Sequence, residues 1–551
     1  MPRIRRRASG ALAATCVLAA FAGCGGSSNQ ASTSSSGTPA TGSEGGSGGT
    51  FVYAVPEVPE SLDNSPYGGT TTKLLYTALD SRLLDYDTAN LEDAGCNELG
   101  GPEAMRGVLA ESWELSEDRK TLTIKLRDTA SGFGNKLTAE DVKWSLERQL
   151  ELSPYTTTLL GTIGSFDMDN LLTIVDDRTI EFNIKQPKSF DPMVFSSVEM
   201  TIWDSTEAKK HATEKDPWAH EWLQANTADF GPWKLERFTS GSELVMVPNE
   251  GYTGDRGNVD RLVIKEVPDS ATRTQLVQTG EADYAAALNF HEYKRLQSVD
   301  TVDVKSCVTP DRTTLFLQID KKIFADPKVR QAVSYAIDRQ SIVDAIYQGF
   351  GEPSIHGLSR FFPFPAPDVQ LTHDPDKARA LLAEAGYPNG FDVTIMYNAN
   401  RPGPHVEQVG VQVQKDLTAV NIRAKLQNVP GSAEFYDLVV NSRYEATFYS
   451  ESTVISDPAF AGAAFALSTS NINSFNYSNP EYDKLITDAQ LAQGDERDQL
   501  LTQAAALGVE DPPMVYLIDQ RAPHAFASGV SGFESSPQGM ISPGRLSKAA
   551  G

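Results

Sequence analysis

The chain has 551 residues, 40% of them hydrophobic, and a formal net charge of −25. This length and composition are sufficient for several domains with apolar cores. The strong negative charge argues against a nucleic-acid-binding protein, because such affinity comes largely from Lys and Arg on phosphates. It argues equally against adsorption to an anionic membrane surface.

The first residues of the chain predict export and a membrane anchor. Four arginines within residues 3–7 precede an apolar run over residues 11–23, which is the pattern of a cleaved secretory signal. The run is shorter than the roughly 20 residues that span a bilayer. Cys24 resembles the lipobox cysteine of bacterial lipoproteins, although Phe21 stands where that motif usually has Leu. The resemblance implies a signal peptide over residues 1–23 and lipidation of Cys24; the alternative is an ordinary signal with an incidental cysteine.

A flexible Gly/Ser linker is predicted to follow Cys24 as far as residue 50. Beyond it the chain contains two further cysteines, Cys96 and Cys307. Two thiols in an exported protein can form a disulfide. The pairing depends on a geometry that the sequence does not give, so a Cys96–Cys307 disulfide and two free thiols are both left open.

Strands and helices are predicted to alternate from residue 51 onward. Residues 121–127 (TLTIKLR) alternate apolar and polar side chains, as a half-buried strand does. Thr138 and Asp141 form a capping box that opens a helix. Asp326 and Asp374 each precede a proline, which places an N-cap before Pro at the first helical position. Further strands are predicted over residues 178–185, 243–247, 315–319 and 391–397. This mixture indicates an α/β or α+β protein.

The motifs that would indicate an enzyme or a metal site are incomplete. The pairs His220-Glu221 and His291-Glu292 begin like the zinc motif H-E-x-x-H, but Gln224 and Arg295 occupy the position of the second His. We therefore expect no metal, no cofactor and no enzymatic activity. A secreted hydrolase remains an alternative, because a catalytic triad is defined by geometry and not by sequence order.

Several segments, in order, resemble the family 5 extracellular solute-binding proteins of ABC importers, the oligopeptide- and dipeptide-binding group. The strongest resemblance is in residues 109–148, which contain LAESWELSEDRKTLTIKLRD and LTAEDVKWSLER. Weaker matches are residues 49–64, 230–284, 324–351, 373–395 and 475–516. The resemblance implies an α/β, periplasmic-binding-protein-like fold with two lobes, a hinge and the three-domain arrangement called cluster C.

The same resemblance implies the division of the chain into domains. Domain I would comprise residues 51–78, 184–312 and 518–551, domain II residues 79–183, and domain III residues 313–517. The hinge would lie where the chain crosses between lobes, near residues 308–315 and 517–521. Closure about such a hinge is a known way of enclosing a ligand.

The implied function is that of an extracytoplasmic solute-binding lipoprotein. It would be a monomer that captures short peptides or peptide-like ligands between its lobes and delivers them to the membrane-spanning permease subunits of an ABC importer. In the peptide-binding members, one acidic residue binds the peptide amino group three positions before the Asp of an Asp-Pro pair. Here that pair begins at Asp457, so the position is occupied by Val454, and Glu451 stands where those members have Trp.

Three explanations of this departure are left open. Glu451 takes over the amino group, or the ligand is a longer peptide whose end is not bound, or the ligand is a non-peptide solute such as an oligosaccharide, a metal chelate or another small metabolite. A turn after the first strand, whose glycines would let backbone approach a ligand, is a second candidate contact; its alternative is an ordinary turn. The predicted ligand-binding residues are Tyr67, Gly68, Gly69, Thr70, Asn289, Phe290, Tyr449, Glu451, Ser452, Val454 and Asp457.

Overall fold

The computed structural model describes residues 48–63, 79, 81–86, 99, 101, 104–254, 256–453, 455–533 and 541–549. Its strands are β1 Thr50–Val55, β2 Leu84–Tyr86, β3 Met105–Gly107, β4 Ala110–Leu115, β5 Thr121–Leu126, β6 Leu172–Asp176, β7 Thr179–Asn183, β8 Trp233–Thr239, β9 Glu243–Pro248, β10 Arg261–Glu266, β11 Tyr284–Ala285, β12 Val302–Leu317, β13 Gly351–Pro353, β14 Asp392–Tyr397, β15 Arg423–Asn428, β16 Ala446–Glu451, β17 Val515–Ala527, β18 Val530–Ser531 and β19 Ser547–Lys548.

The α-helices of the same residues are α1 Ala139–Leu152, α2 Pro154–Thr157, α3 Ser205–Ala208, α4 His220–Leu223, α5 Ser270–Thr279, α6 Phe290–Leu296, α7 Pro327–Ala336, α8 Arg339–Ile342, α9 Pro375–Glu384, α10 Val406–Ala419, α11 Ser432–Val440, α12 Pro458–Ala466, α13 Pro480–Leu491 and α14 Gly494–Glu510. Two π-helical turns, Thr158–Ile163 and Val343–Tyr347, continue α2 and α8. Short 3₁₀ turns lie at Asp191–Ser196, Val198–Met200 and Pro543–Arg545. Within the described residues, no helix combines the length and the apolar character that crossing a membrane requires.

One mixed sheet runs through most of the described chain in the order β15-β14-β16-β12-β17-β11-β1-β10-β9-β8, with β13 beside β17. Strands β12 and β17 join its two halves. They are antiparallel, from the pair Val302↔Ala527 to the pair Leu315↔Val515, and their register shifts between Val308 and Arg312. These are the strands that the sequence predicted to cross near residues 308–315 and 517–521. Their action as a hinge stays a prediction.

A separate four-stranded sheet has the order β4-β5-β7-β6. Leu122, Ile124 and Leu126 of β5 are buried, as the alternation of its sequence predicted. The apolar cluster on this sheet also includes Ile455 and Phe460, which are distant in sequence. Segment 455–460 therefore packs into the core of a sheet to which it contributes no strand.

A polar contact and a ring contact accompany this packing. The backbone N–H of Ser456 donates a hydrogen bond to the hydroxyl of Tyr86, with N and O 2.9 Å apart. The rings of Phe190 and Phe460 meet edge to face at 5.7 Å. In the predicted domain division, Tyr86 belongs to domain II, and Ser456 and Phe460 belong to domain III.

The local signals in the sequence predicted several elements correctly. Thr138 and Asp141 form the capping box of α1, and the carboxylates of Asp326 and Asp374 accept backbone N–H groups at the starts of α7 and α9. The strands predicted at 121–127, 178–185, 243–247 and 391–397 correspond to β5, β7, β9 and β14. The strand predicted at 315–319 is the end of the much longer β12. The mixed α/β class is confirmed, whereas the domain boundaries stay a prediction.

Candidate functional site

The candidate site lies at one edge of the large sheet, where β14 and β16 end. These two strands are parallel, and the carboxyl ends of parallel strands meet at the same edge, which is where open α/β sheets bind ligands. The loop after β14 contains Arg401, and the loop after β16 leads from Glu451 to α12. Of the predicted ligand residues here, Tyr449, Glu451 and Asp457 are buried, Ser452 is exposed, and Val454 lies outside the described residues.

Glu451 forms a buried ion pair with Arg312 of β12. Its Oε2 lies 2.5 Å from one terminal nitrogen of Arg312 and 2.8 Å from Nε; the two residues are 2% and 1% exposed. Arg312 also donates to the backbone oxygens of His356 and Gly357 at 3.3 and 3.1 Å. The carboxylate of Glu451 is therefore already bound by a cation of the protein.

Asp519 of β17 extends this charged cluster to the second joining strand. Its Oδ1 lies 3.9 Å from Nε of Arg312, and its side chain is fully buried. Burial raises the pKa of Asp519 to about 7, an effect that Arg312 opposes. Burial alone would lower the pKa of Arg312, but Glu451 and Asp519 raise it. A single guanidinium thus ties β16 to both joining strands.

Asp457 is engaged in a similar way. It caps α12 by accepting the N–H of Phe460 at 2.9 Å, and its Oδ2 lies 2.5 Å from a terminal nitrogen of Arg497. Burial raises the pKa of Asp457, and Arg497 opposes that rise. Both acidic residues predicted from the sequence at this edge of the sheet therefore have a basic partner in the protein.

Arg401, unlike Glu451 and Asp457, has no oppositely charged partner among the described residues. Its guanidinium carbon lies 4.2 Å from the centre of the Tyr449 ring, and a terminal nitrogen donates to the backbone oxygen of Ser450 at 3.1 Å. Its buried Nε has no hydrogen-bond partner, and Arg401 forms no ion pair with any residue that the structure describes. The hydroxyls of Thr453 and Ser456 are also buried and without a partner among those residues.

Buried polar groups of this kind are costly unless they are hydrogen-bonded. At the end of β16 the cation of Arg401 thus lies on the aromatic face of Tyr449, and the two hydroxyls follow in the loop that leads to α12. The sequence analysis did not single out Arg401. The signal that could have found it is an arginine in the loop that follows the strand predicted over residues 391–397.

Asn289 and Phe290 lie at a different place. Asn289 is the N-cap of α6, in a capping box with Glu292. Phe290 packs against the rings of Tyr347 and His405, with centres 4.8 and 5.0 Å apart. Both residues line a cavity of about 390 Å³, and the structure does not bring their side chains into contact with Tyr449 or Glu451.

The remaining predicted residues are mostly outside the described part of the chain. These are Cys24, Cys96, and the turn residues Tyr67, Gly68, Gly69 and Thr70. Cys307 is buried and disulfide-bonded. Because Cys96 is not among the described residues, the pairing of Cys96 with Cys307 stays a prediction.

Comparison with known proteins identifies the class. Residues 104–473 match the family model described as bacterial extracellular solute-binding proteins, family 5 Middle. The chain belongs to this family, and the predicted function, capture of a solute outside the cytoplasm, is confirmed at that level.

Individual proteins are similar over most of their length. The probable D,D-dipeptide-binding periplasmic protein DdpA of Escherichia coli (strain K12) is 29% identical over 468 residues, which cover 83% of this chain and 86% of that protein. The structure of the ABC transporter-associated protein DppA from Helicobacter pylori, in complex with peptide STSA, has a TM-score of 0.75 and 21% identity, with 91% and 98% of the two chains covered. The structure of AgaA from A. tumefacien R10, in complex with agropinic acid, has a TM-score of 0.73 and 22% identity, with 91% and 99% covered.

Proposed function

We propose that this protein captures a peptide-like solute that carries a carboxylate, and that Arg401 binds the carboxylate. The observation that carries this proposal is the guanidinium of Arg401, which has no acidic partner among the described residues and a buried Nε without a hydrogen-bond partner. Guanidinium groups bind carboxylates through strong, charge-assisted hydrogen bonds. The ring of Tyr449 beneath Arg401 would hold the guanidinium in place for that purpose.

The names of similar proteins support an anionic ligand. A tetrapeptide such as STSA ends in a carboxylate, and agropinic acid is an acid, so the ligands of the two similar structures share this group. Arg401 would supply the cationic partner that the carboxylate of either ligand requires. The proposal therefore includes the non-peptide alternative, provided that the solute is an anion.

Neither Glu451 nor Asp457 is proposed to bind an amino group. Each is buried and already paired, with Arg312 and Arg497 respectively. Binding an ammonium group at either position would mean giving up a buried ion pair, whose rupture costs about 3–5 kcal/mol. We therefore favour a solute whose amino group is absent, blocked or outside the site.

The proposal places this chain at the outer face of the cell membrane. A lipid on Cys24 and the linker to residue 50 would hold a three-domain monomer near the permease of an ABC importer. The three domains would close around the solute at β12 and β17. The protein would deliver the solute unchanged, without enzymatic activity.

The first test is to identify the solute that co-purifies with residues 25–551, by denaturing the protein and analysing the released small molecules by mass spectrometry. We expect carboxylate-bearing compounds, either a ladder of short peptides or one non-peptide acid. Titration calorimetry with the identified solute should show at least a tenfold loss of affinity in Arg401→Gln. The exposed Arg423→Gln serves as the matched control. A solute without an anionic group, or unchanged affinity in Arg401→Gln, would refute the proposal.

A further inference from the structure

The turn at residues 130–136 presents an aromatic ring to solvent. Phe133 lies at its tip and is 52% exposed. Its ring centre lies 6.4 Å from that of Trp222 on α4. Trp222 in turn stacks on the imidazole of His211, with centres 4.0 Å apart and planes 2° from parallel. Trp222 is partly buried and His211 is exposed. We call Phe133, Trp222 and His211 the aromatic patch.

The exposure of Phe133 is fixed by the turn that carries it. The hydroxyl of Ser131 and the side-chain N–H of Asn135 both donate to Oδ2 of Asp204, at 2.5 and 2.9 Å. Asp204 is fully buried, so both sides of the turn are attached to the core. Gly134 has a φ of 84°, a conformation that glycine adopts without strain. The backbone therefore holds the ring outward, and its apolar surface is open to a partner.

Ion pairs edge the patch. Glu207 lies 2.6 Å from Nζ of Lys210 and 3.3 Å from Nε2 of His211, and Asp128 lies 2.6 Å from Nζ of Lys136. Charges beside the rings thus compensate one another, within a chain whose net charge is −25. Aromatic rings with polar surroundings accumulate in the interfacial layer of a lipid bilayer, so this surface fits a membrane.

The patch lies near the end of the chain to which the predicted anchor is attached. The first described residue, Gly48, donates its N–H to the backbone oxygen of Asn258, and Ala130 of the turn donates to that of Gly251, both at 2.9 Å. At no more than about 3.6 Å per residue, Gly251 and Asn258 are less than about 25 Å apart. A Gly/Ser-rich sequence as long as that from Cys24 to Gly48 spans roughly 27 Å on average. A membrane that holds Cys24 is therefore within reach of the patch.

We propose that the aromatic patch is a second membrane contact, which enters the interfacial layer of the bilayer that holds the lipid on Cys24. The inference rests on the anchor of the proposed function and adds the surface that faces the membrane. Two rings bind a bilayer weakly, but a tether makes the contact intramolecular and raises the effective concentration. The net charge of −25 opposes approach to anionic lipid, so we expect the contact on zwitterionic phosphatidylcholine.

The test uses the full lipoprotein, purified from membranes and added to phosphatidylcholine vesicles that carry bromine on the acyl chains near the headgroups. Bromine quenches the fluorescence of a nearby indole. Phe133→Trp adds an indole to the patch, and the control Tyr436→Trp adds one to α11 at a similarly exposed side chain, 55% against 52%. The brominated vesicles should remove at least half of the emission added in Phe133→Trp and none of that added in Tyr436→Trp.

Trp222 gives a second measurement that leaves the turn unchanged. Trp222→Phe should lower the fraction of the parent emission that brominated lipid quenches. This measurement keeps the test valid if Phe133→Trp fails to fold. Adding anionic phosphatidylglycerol to the vesicles should reduce the quenching in the parent.

The inference is overturned if Phe133→Trp is quenched no more than Tyr436→Trp, or if phosphatidylglycerol strengthens the quenching. Self-association of the parent that Phe133→Ser abolishes would assign the patch to a second copy and would also overturn it. Flotation of the vesicles reads the anchor separately. If the parent floats no better than Cys24→Ala, the anchor of the proposed function fails and this inference fails with it. Flotation without quenching of the added indole refutes this inference alone.

Discussion

Replacing Glu451 by Gln should destabilise the folded protein by about 3 kcal/mol. Breaking a buried ion pair by removing one charge costs about 3–5 kcal/mol, because the other charge is left uncompensated. Here Arg312 is 1% exposed and cannot turn to solvent. It keeps two backbone carbonyl partners and a carboxylate at 3.9 Å, which places the cost at the lower end of that range.

The assay is urea unfolding at pH 7, followed by tryptophan fluorescence, because stability falls linearly with denaturant. A matched control is Asp392→Asn, which breaks the pair between Asp392 and Arg423 that is 80% and 55% exposed. Exposed pairs contribute about 0–1 kcal/mol, so this variant should unfold close to the parent. In the double variant Arg312→Leu/Glu451→Leu, part of the stability should return, because both charges of the pair are removed together. The recovery is incomplete because buried Asp519 loses the cation that lies 3.9 Å away.

One result would refute this reasoning. If Glu451→Gln unfolds at the same urea concentration as the parent but loses solute affinity, the buried charge of Arg312 does not need Glu451 to compensate it. The carboxylate would then contact the solute directly, as the sequence alone allowed.

Three further predictions concern groups outside this ion pair. Burial raises the pKa of Asp229 to about 7, so between pH 4 and 7 the native carboxyl keeps its proton while the unfolded chain releases it, and stability falls as pH rises through that window. The urea midpoint of Asp229→Asn should therefore rise relative to that of the parent between pH 5 and pH 8. A difference between the two midpoints that stays constant with pH would contradict the argument. Tyr347→Phe removes the hydroxyl that contacts both His405 and Thr313. Its free energy of unfolding should fall by about 1–3 kcal/mol, at roughly 0.5–1.5 kcal/mol for each lost hydrogen bond. An unchanged thermal midpoint would show that these hydrogen bonds do not contribute to stability. Phe460→Ala should lower the free energy of unfolding by roughly 3–5 kcal/mol and speed amide hydrogen exchange in β4–β7. Exchange as slow as in the parent would mean that the packing of Phe460 does not stabilise that sheet.

The sequence could predict features that depend on neighbouring residues. The capping box of Thr138 and the N-caps at Asp326 and Asp374 follow from residues within one helical turn, and the structure has all three. β12 was predicted only in its last apolar residues. Its first part contains Asp303 and Lys305, whose place in a strand is decided by pairing with β17 and not by local alternation.

The candidate site was predictable only in its position along the chain. Segment 449–457 was identified, but the partner of Glu451 lies 139 residues away, a separation at which sequence spacing has no physical meaning. Two charged residues can share a site only after strand order and register are known. Arg401 was missed for the same reason, since its contact with Tyr449 requires β14 and β16 to be neighbours.

The packing of Ile455 and Phe460 into the four-stranded sheet has a kinetic consequence. If the predicted lobes separate, both side chains must leave an apolar cluster, at roughly 1.5–3 kcal/mol for each fully buried side chain, and the Ser456 N–H must exchange the Tyr86 hydroxyl for water. An enclosed solute then escapes no faster than this contact breaks, however weak its own bonds are. Its residence time is accordingly a property of the protein, so a permease that pulls segment 455–460 free would control release without touching the solute.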